Sequence, residues 1–391
     1  EWVKGASCKS QFNQNAKESY AGGRVQVLCE PAAWQYDVVS ADANSMFPSV
    51  QESYDFPDIR TCRNLGANAG ILDRFLESGT YVSWANVKLK AQTEAQRFLP
   101  NRDSSGRLDW TQDTFSGWLA EPELKYALYE GGWELDSIRQ LNVAKAHNPF
   151  REHVRKFYDL RMEAKANNDP RAIFYKLLLN SGYGKYAQRS SVTRKENPEE
   201  MQKAFEDEDW EDRYELRFYD AVNLEMPYLL DKDSLNRTPD SQWFGYASFI
   251  TSGARVELQK GIHAAGEYAL YCDTDSTYLT VDGVKGFEAA IPLGTDMGEW
   301  GWEQERPYAK ARFWEPKAYS LHSDDGSLER VKHKGVDVKD RHGNFLPNAG
   351  DLTKTQVSTS TTKLYTALRR KLPAGVMKVT EKRSRRWMNR W

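Results

Sequence analysis

Tyr271-Cys272-Asp273-Thr274-Asp275-Ser276 sets two carboxylates on either side of one small polar residue. The runs beside it, Tyr268-Ala269-Leu270 and Thr277-Tyr278-Leu279-Thr280-Val281, are largely apolar. The whole segment therefore reads as strand, turn, strand. Such a turn carries both carboxylates at the tip of a hairpin, where they can face one divalent cation. Mg²⁺ held by a few carboxylates, with water and phosphate completing its shell, is the usual ion of nucleotide chemistry. An Asp-x-Asp turn is also a common solvated loop, and two other segments give this one its weight.

Asp42-Ala43-Asn44-Ser45-Met46-Phe47-Pro48 follows Tyr36-Asp37-Val38-Val39-Ser40, a run suited to a strand. Asp42 at the end of that strand supplies a third carboxylate if the strands are neighbours in one sheet. Asn44-Ser45 favours a turn or helix start, where free backbone N–H groups can hold phosphate oxygens. Farther on, Lys176-Leu177-Leu178-Leu179-Asn180-Ser181-Gly182-Tyr183-Gly184 reads as a helix. Lys176, Asn180 and Tyr183 recur at i, i+4 and i+7 and share one face. That face offers an ammonium for phosphate, an amide, and a ring for a base. Leu177, Leu178 and Leu179 are expected to bury much of the rest. Arg161 and Lys165, at i and i+4 on the preceding helix, are either a second cationic pair for the same anion or the exposed charged face of an amphipathic helix.

With Tyr20-Ala21-Gly22-Gly23 ahead of them and Lys317-Ala318-Tyr319 behind, these segments resemble the family B DNA polymerases. In order and spacing they resemble the protein-primed phage and viral branch most. The resemblance implies an α+β right-hand polymerase: a palm with an antiparallel sheet, helical fingers and a small thumb. It divides the chain into a first part of the palm (1–56), an insertion similar to a terminal-protein region (57–148), fingers (149–188), a second insertion (189–242), a second part of the palm (243–335) and a basic thumb (336–391).

The same resemblance assigns roles. Asp42, Asp275 and Asp273 are the catalytic carboxylates, with Asp273 ranked last because a hairpin tip need not aim both side chains equally. With the Ala43 carbonyl they would hold two Mg²⁺ ions, replaceable by Mn²⁺, roughly 3.5–4 Å apart as in two-metal phosphoryl transfer. Lys176 neutralises the triphosphate. Ser45, Met46, Phe47, Arg161, Lys165, Asn180 and Tyr183 complete the dNTP site. Phe47 stands where the family usually has Tyr, and its ring would still exclude a 2′-hydroxyl. Tyr20, Gly22 and Gly23 match the element that touches template DNA, and Lys317 and Tyr319 the Lys-x-Tyr element that binds the primer strand. Lys332 and Lys334, in a basic run with Gly335, Lys339 and Arg341, would add phosphate contacts independent of sequence.

The implied function is template-directed DNA polymerisation in viral or mobile-element replication, by a monomer acting on primer, template and dNTPs. A priming terminal protein is a further expected partner. Two alternatives stay open: a primer-independent or protein-primed initiator, and a non-catalytic DNA-binding protein built on a polymerase. Intact Asp42, Asp273, Asp275 and Lys176 speak against the last. Family members usually carry a proofreading exonuclease ahead of the Tyr-x-Gly-Gly element, and only a short segment precedes Tyr20. Synthesis without editing is therefore expected of this chain. It begins with Glu1 and not Met, as a processed product or an excised piece would.

Composition narrows the setting. The formal net charge is −2, so overall charge does not draw the chain to nucleic acid. Charge is unevenly spread, however. Basic residues dominate from Lys363 onward, with Trp387 and Trp391 among them, whereas Glu196 to Asp212 is acidic. Cys8, Cys29, Cys62 and Cys272 form no C-x-x-C pair, which suits a reducing, intracellular compartment. No long apolar run or signal-peptide pattern occurs, and neither a membrane span nor secretion is expected.

Overall fold

Both runs beside the acidic turn are strands, Ala269–Asp273 and Ser276–Thr280, and they pair antiparallel around it. The computed structural model describes residues 10–188, 194–195, 197–221, 224–232, 242–334, 336–340, 342–346, 348–354, 356–361 and 380–385. Cys8, Glu196, Gly335 and Arg341 lie outside the described residues, as do Lys363, Arg369, Arg370, Lys371, Lys378, Arg386, Trp387, Arg390 and Trp391 of the basic C-terminal run. The chain forms two compact units, Glu1–Ala187 with Trp243–Arg330, and Gln188–Gln242 with Val331–Trp391.

The first unit is built on an antiparallel sheet. Its strand order is Val25–Val27, Ala269–Asp273, Ser276–Thr280, Trp34–Ala43, Tyr308–Glu315, Ala318–His322 and Leu328–His333, with Trp300–Trp302 pairing beside Trp34–Ala43. One face is covered by the helix Phe244–Ala265, whose residues are buried almost all round. Ala254, Leu258 and Ile262 from this helix pack on Val39, Ala41, Cys272 and Leu279 from the strands. Gly253 lets the helix approach Met46–Ser53, since a Cβ there would stand 2.6 Å from Val50 Cγ1. Residues between these elements form a second sheet, in the order Phe56–Pro57, Trp133–His147, Tyr81–Ala91 and Thr114–Ala120, backed by the helix Glu121–Tyr129. It has its own core, centred on Val87, Leu89, Leu119, Leu124 and Leu141.

Arg151–Ala166 and Arg171–Tyr186 are a helical pair. The break between them combines Asn168 in the left-handed region (φ 53°) with Pro170, and the Asp169 carboxylate accepts the Arg171 N–H at 2.8 Å. The second helix departs from expectation. Leu179 and Tyr186 are its buried residues, whereas Leu177 is 63% exposed, with Ile173 and Phe174 exposed beside it. The reason is periodicity: residues two apart on a helix point nearly opposite ways, so three consecutive leucines cannot share one buried face.

The second unit holds a sheet in the order Arg194–Lys195, Leu224–Asp231 and Tyr214–Ala221, and a two-stranded sheet of Gln356–Thr361 with Thr380–Arg385. Met201, Ala204, Tyr214 and Leu229 form a small core with Trp210 against it. The acidic residues Glu206 to Asp209 are exposed just beyond the helix Pro198–Phe205. Among the described residues no helix is long and apolar enough to cross a membrane.

Candidate active site

Strand register brings the first and last acidic segments together. Asp42 near the end of Trp34–Ala43 stands opposite Ser276, and the Ala43 N–H donates to the Asp275 carbonyl at 2.8 Å. Ser45 adopts the left-handed region (φ 52°) and the helix Met46–Ser53 begins directly after it. Its hydroxyl accepts from Arg161 Nη1 at 2.8 Å, which ties the helical pair to this turn. The result is a cleft of about 400 Å³ lined by Asp42, Ala43, Ser45, Met46, Phe47, Arg161, Lys165, Lys176, Asn180, Tyr183 and Asp275. Phe47 and Tyr183 stack in its wall, ring centres 4.5 Å apart and planes 5° from parallel.

The two carboxylates of the acidic turn part ways. Thr274 between them is left-handed (φ 68°) and its N–H donates to the Arg24 carbonyl at 2.8 Å. Asp275 faces the cleft, while Asp273 is paired with Lys317 Nζ at 2.8 Å. Lys317 holds the turn of its own hairpin in the left-handed region (φ 62°), and its N–H donates to the Tyr271 hydroxyl at 2.9 Å. Tyr319 is buried among Tyr271, Tyr278 and Phe313. Of the Lys-x-Tyr element, Lys317 is therefore the side chain with surface to offer a ligand. Lys332 and Lys334 are exposed in the second unit and do not line the cleft.

Burial and like charge set the electrostatics. Burial, then repulsion from Asp275 and Glu303, pushes the Asp42 carboxyl up to about 7, while Lys176 and Arg330 act the other way. Asp275 is also raised, by burial first and then by Asp273 and Glu303. Glu303 was not singled out from sequence. Its carboxylate accepts from the Ser40 hydroxyl at 2.8 Å and pairs with Arg330 at 2.9 Å. Its position one residue beyond Trp300–Trp302, a short strand paired beside Asp42, is what brings it here.

Among the described residues no three His, Cys, Asp or Glu side chains gather as a metal-holding group. Two carboxylates lining one cleft, both driven toward protonation by burial and by neighbouring carboxylates, are nevertheless a donor set that a hard divalent cation would neutralise. Mg²⁺ commonly takes only one or two protein carboxylates and leaves its other positions to water and phosphate. The residues present fit that ion.

Arg255 and Glu123 were also missed, and they position the Tyr-x-Gly-Gly segment. They are 1% and 0% exposed and pair two-pronged, with Arg255 Nε to Glu123 Oε1 at 2.7 Å and Nη2 to Oε2 at 2.5 Å. The remaining Arg255 nitrogen donates to the carbonyls of Ala21 and Gly22 at 2.6 and 3.0 Å. Gly23 passes so close to the acidic turn that a Cβ would stand 2.7 Å from Thr274 Cγ2. Tyr20 packs edge-on to Phe244, and Gly22 is open. The available signal was charge in an apolar setting, Arg255 between Ala254 and Val256, and Glu123 beside Leu124.

Comparison with known proteins identifies the family and the fold. Residues 6–264 match the family described as DNA polymerase type B, organellar and viral. The DNA-directed DNA polymerase of Enterobacteria phage PRD1 is 27% identical over 346 residues, which are 86% of this chain and 55% of that protein. The chain thus spans little more than half the length of that relative. Phi29 DNA polymerase, solved with primer-template DNA and incoming nucleotide, superposes with a TM-score of 0.64 at 16% identity, covering 96% of this chain and 62% of that one. Its binary complex with primer-template DNA gives 0.62 at 18% identity, over 90% and 60% of the two chains. At these identities the superpositions establish a shared fold.

Proposed function

This chain belongs to the organellar and viral type B DNA polymerases, and from that premise we propose that it extends a 3′-hydroxyl by template-directed addition of dNMPs. The observation that carries the reading is the cleft itself. Three segments far apart in sequence line it, bringing the carboxylates of Asp42 and Asp275 and the cations Arg161, Lys165 and Lys176 to one cleft. Such a pairing suits a triphosphate that must be held by cations at one end and attacked at the other.

Asp42 and Asp275, with the Ala43 carbonyl, would hold the divalent cations, which when bound neutralise the triphosphate and acidify the attacking hydroxyl. Lys176 and Arg161 bind phosphate oxygens, and the Arg161–Ser45 contact fixes the guanidinium for that task. Phe47 bounds the sugar, and Tyr183, stacked on it, supports the nascent base pair. Lys317 reaches the primer strand beside the acidic turn, and the loop at Gly22 and Gly23 admits the template backbone closely. Asp273 acts through Lys317 by holding that ammonium in place. DNA, dNTPs and a priming protein are the partners of this reading.

The test is incorporation of labelled dNTPs with Mg²⁺ on a single-stranded template, with and without an annealed primer, using Asp275→Asn as control. Extension with primer, lost in the variant, supports the proposal. Products without primer move initiation into the chain itself. DNA binding with no product in either lane overturns the catalytic reading.

A further inference from the structure

The hairpin of Tyr308–Glu315 and Ala318–His322 carries Lys317 at its turn and, farther along, a second group of basic and aromatic side chains outside the cleft. Register sets Arg312 opposite Trp34 and Ser320, and Lys310 opposite Tyr36 and His322. Ala311 and Phe313 enter the buried cluster with Tyr271 and Tyr278, whereas Lys310 and Arg312 lie over the Trp34 ring, which is not part of that cluster. The Arg312 guanidinium lies 4.2 Å from the ring centre of Trp34 and 5.6 Å from that of Trp314, and Lys310 Nζ is 4.9 Å from Trp34. His322 packs edge-on to Trp34 at 5.3 Å, and Tyr36 is 61% exposed.

Among the described residues no carboxylate pairs with the cations of this group. Arg155, Arg255 and Arg330 are each paired with a glutamate, Glu52, Glu123 and Glu303. Among the described residues neither Lys310 nor Arg312 has a carboxylate at ion-pair distance, and Arg312 Nε is buried with no hydrogen-bond partner. Burial holds the His322 imidazole below its usual value, and the charged groups that push it further are Lys310 and Arg312. Stacking on an indole uses the face of a guanidinium and leaves its in-plane N–H edge for an anion.

We propose that Trp34, Tyr36, Lys310, Arg312 and His322 form a second phosphodiester-binding surface, apart from the catalytic cleft, that holds a DNA strand. Lys310 and Arg312 take phosphates, and Tyr36 takes a base or sugar. Exposed aromatic area beside cations suits the alternation of base and phosphate along a strand better than it suits a string of carboxylates. Ser320 and His322 stand three and five residues beyond Lys317, which places them roughly 10–17 Å from that residue at about 3.3 Å per residue. The inference rests on DNA being the substrate, as proposed above.

The test compares the wild type with Lys310→Gln, Arg312→Gln and Arg312→Lys. Binding of a labelled single strand and of a primer–template duplex is followed by anisotropy across NaCl concentration, alongside primer extension at saturating DNA. Loss of one phosphate contact is expected to weaken binding up to about tenfold near 0.1 M salt and to lower the log–log salt slope by about one. Arg312→Lys should restore most of the binding, and extension at saturating DNA should be unchanged. A loss seen with the single strand or with the duplex supports the surface and identifies which DNA it holds. Lys310→Gln, at a partly exposed position, answers the question even if Arg312→Gln fails to fold. Unchanged affinity and slope for both DNAs, in variants of a wild type that extends primers, overturn the inference. So does loss of binding to polyglutamate with DNA binding intact, which would assign the surface to an acidic protein. A wild type that binds DNA without extending it, with weakened variants, leaves this surface standing and removes the polymerase reading alone.

Discussion

At the scale of single residues, the raised Asp42 carboxyl ties chemistry to stability. Folding lifts its pKa from 3.8 to about 7, so the native state is disfavoured progressively as pH climbs through that interval and is free of the penalty below it. Asp42→Asn should therefore raise the melting temperature at pH 8 and much less at pH 5. With the carboxyl still partly solvated we expect about 1–2 kcal/mol. Mg²⁺ at a hundredfold excess over its Kd should stabilise the wild type by about 2.7 kcal/mol and the variant far less. Thermal melts at the two pH values, with Mg²⁺ or EDTA, decide both points, and a gain at pH 5 equal to that at pH 8 would contradict them. Phe47 carries a second prediction. Phe47→Val removes the stacking partner of Tyr183 and, on the proposed reading, opens the space beside the sugar. Ribonucleotide incorporation relative to deoxynucleotide should rise about tenfold or more, about 1.4 kcal/mol of lost discrimination. Equal discrimination in competition assays would sink the gate.

At the scale of elements, the Arg255–Glu123 pair joins the helix Phe244–Ala265 to the helix Glu121–Tyr129 and to the Tyr-x-Gly-Gly loop. Removing one partner leaves the other charge buried and unpaired, so Glu123→Ala should cost about 3–5 kcal/mol in denaturant unfolding. A loss below about 1 kcal/mol would mean that water reaches Arg255. The helix Arg171–Tyr186 gives the opposite case. Leu177 is 63% exposed, so Leu177→Ser should change stability by no more than about 0.5 kcal/mol, whereas Leu179→Ala, at a buried position, should cost about 2–4 kcal/mol. Equal losses in the two variants would place Leu177 in a core.

At the scale of the whole molecule, a formal charge of −2 means that the DNA binding proposed above would rest on local groupings, at the cleft and beyond it. Each of the two compact units has its own core, and that of the second is small, with Leu229 fully buried beside Trp210. Leu229→Ala should cost about 2–4 kcal/mol there, followed by the fluorescence of a variant that keeps Trp210 as a reporter. An unchanged unfolding midpoint would deny this cluster the role of a core.

Much of the site was legible in the sequence because its chemistry restricts residue type and its elements are local. Apolar and β-branched runs declare the strands beside Asp42 and Asp275, Asn44-Ser45 favours a turn or helix start, and i, i+4, i+7 spacing puts Lys176, Asn180 and Tyr183 on one face. Each of these readings depends on neighbours within a turn or a strand length. Tertiary structure decided the rest: that Asp275 faces the cleft while Asp273 is held by Lys317, that Glu303 raises the Asp42 carboxyl, that Arg255 reaches Glu123, and that Arg312 finds an indole and, among the described residues, no carboxylate. These outcomes follow from strand register and helix docking between segments far apart in the chain. The free energy of a charge depends on what lies within a few ångströms of it, and no local pattern in the chain records that distance.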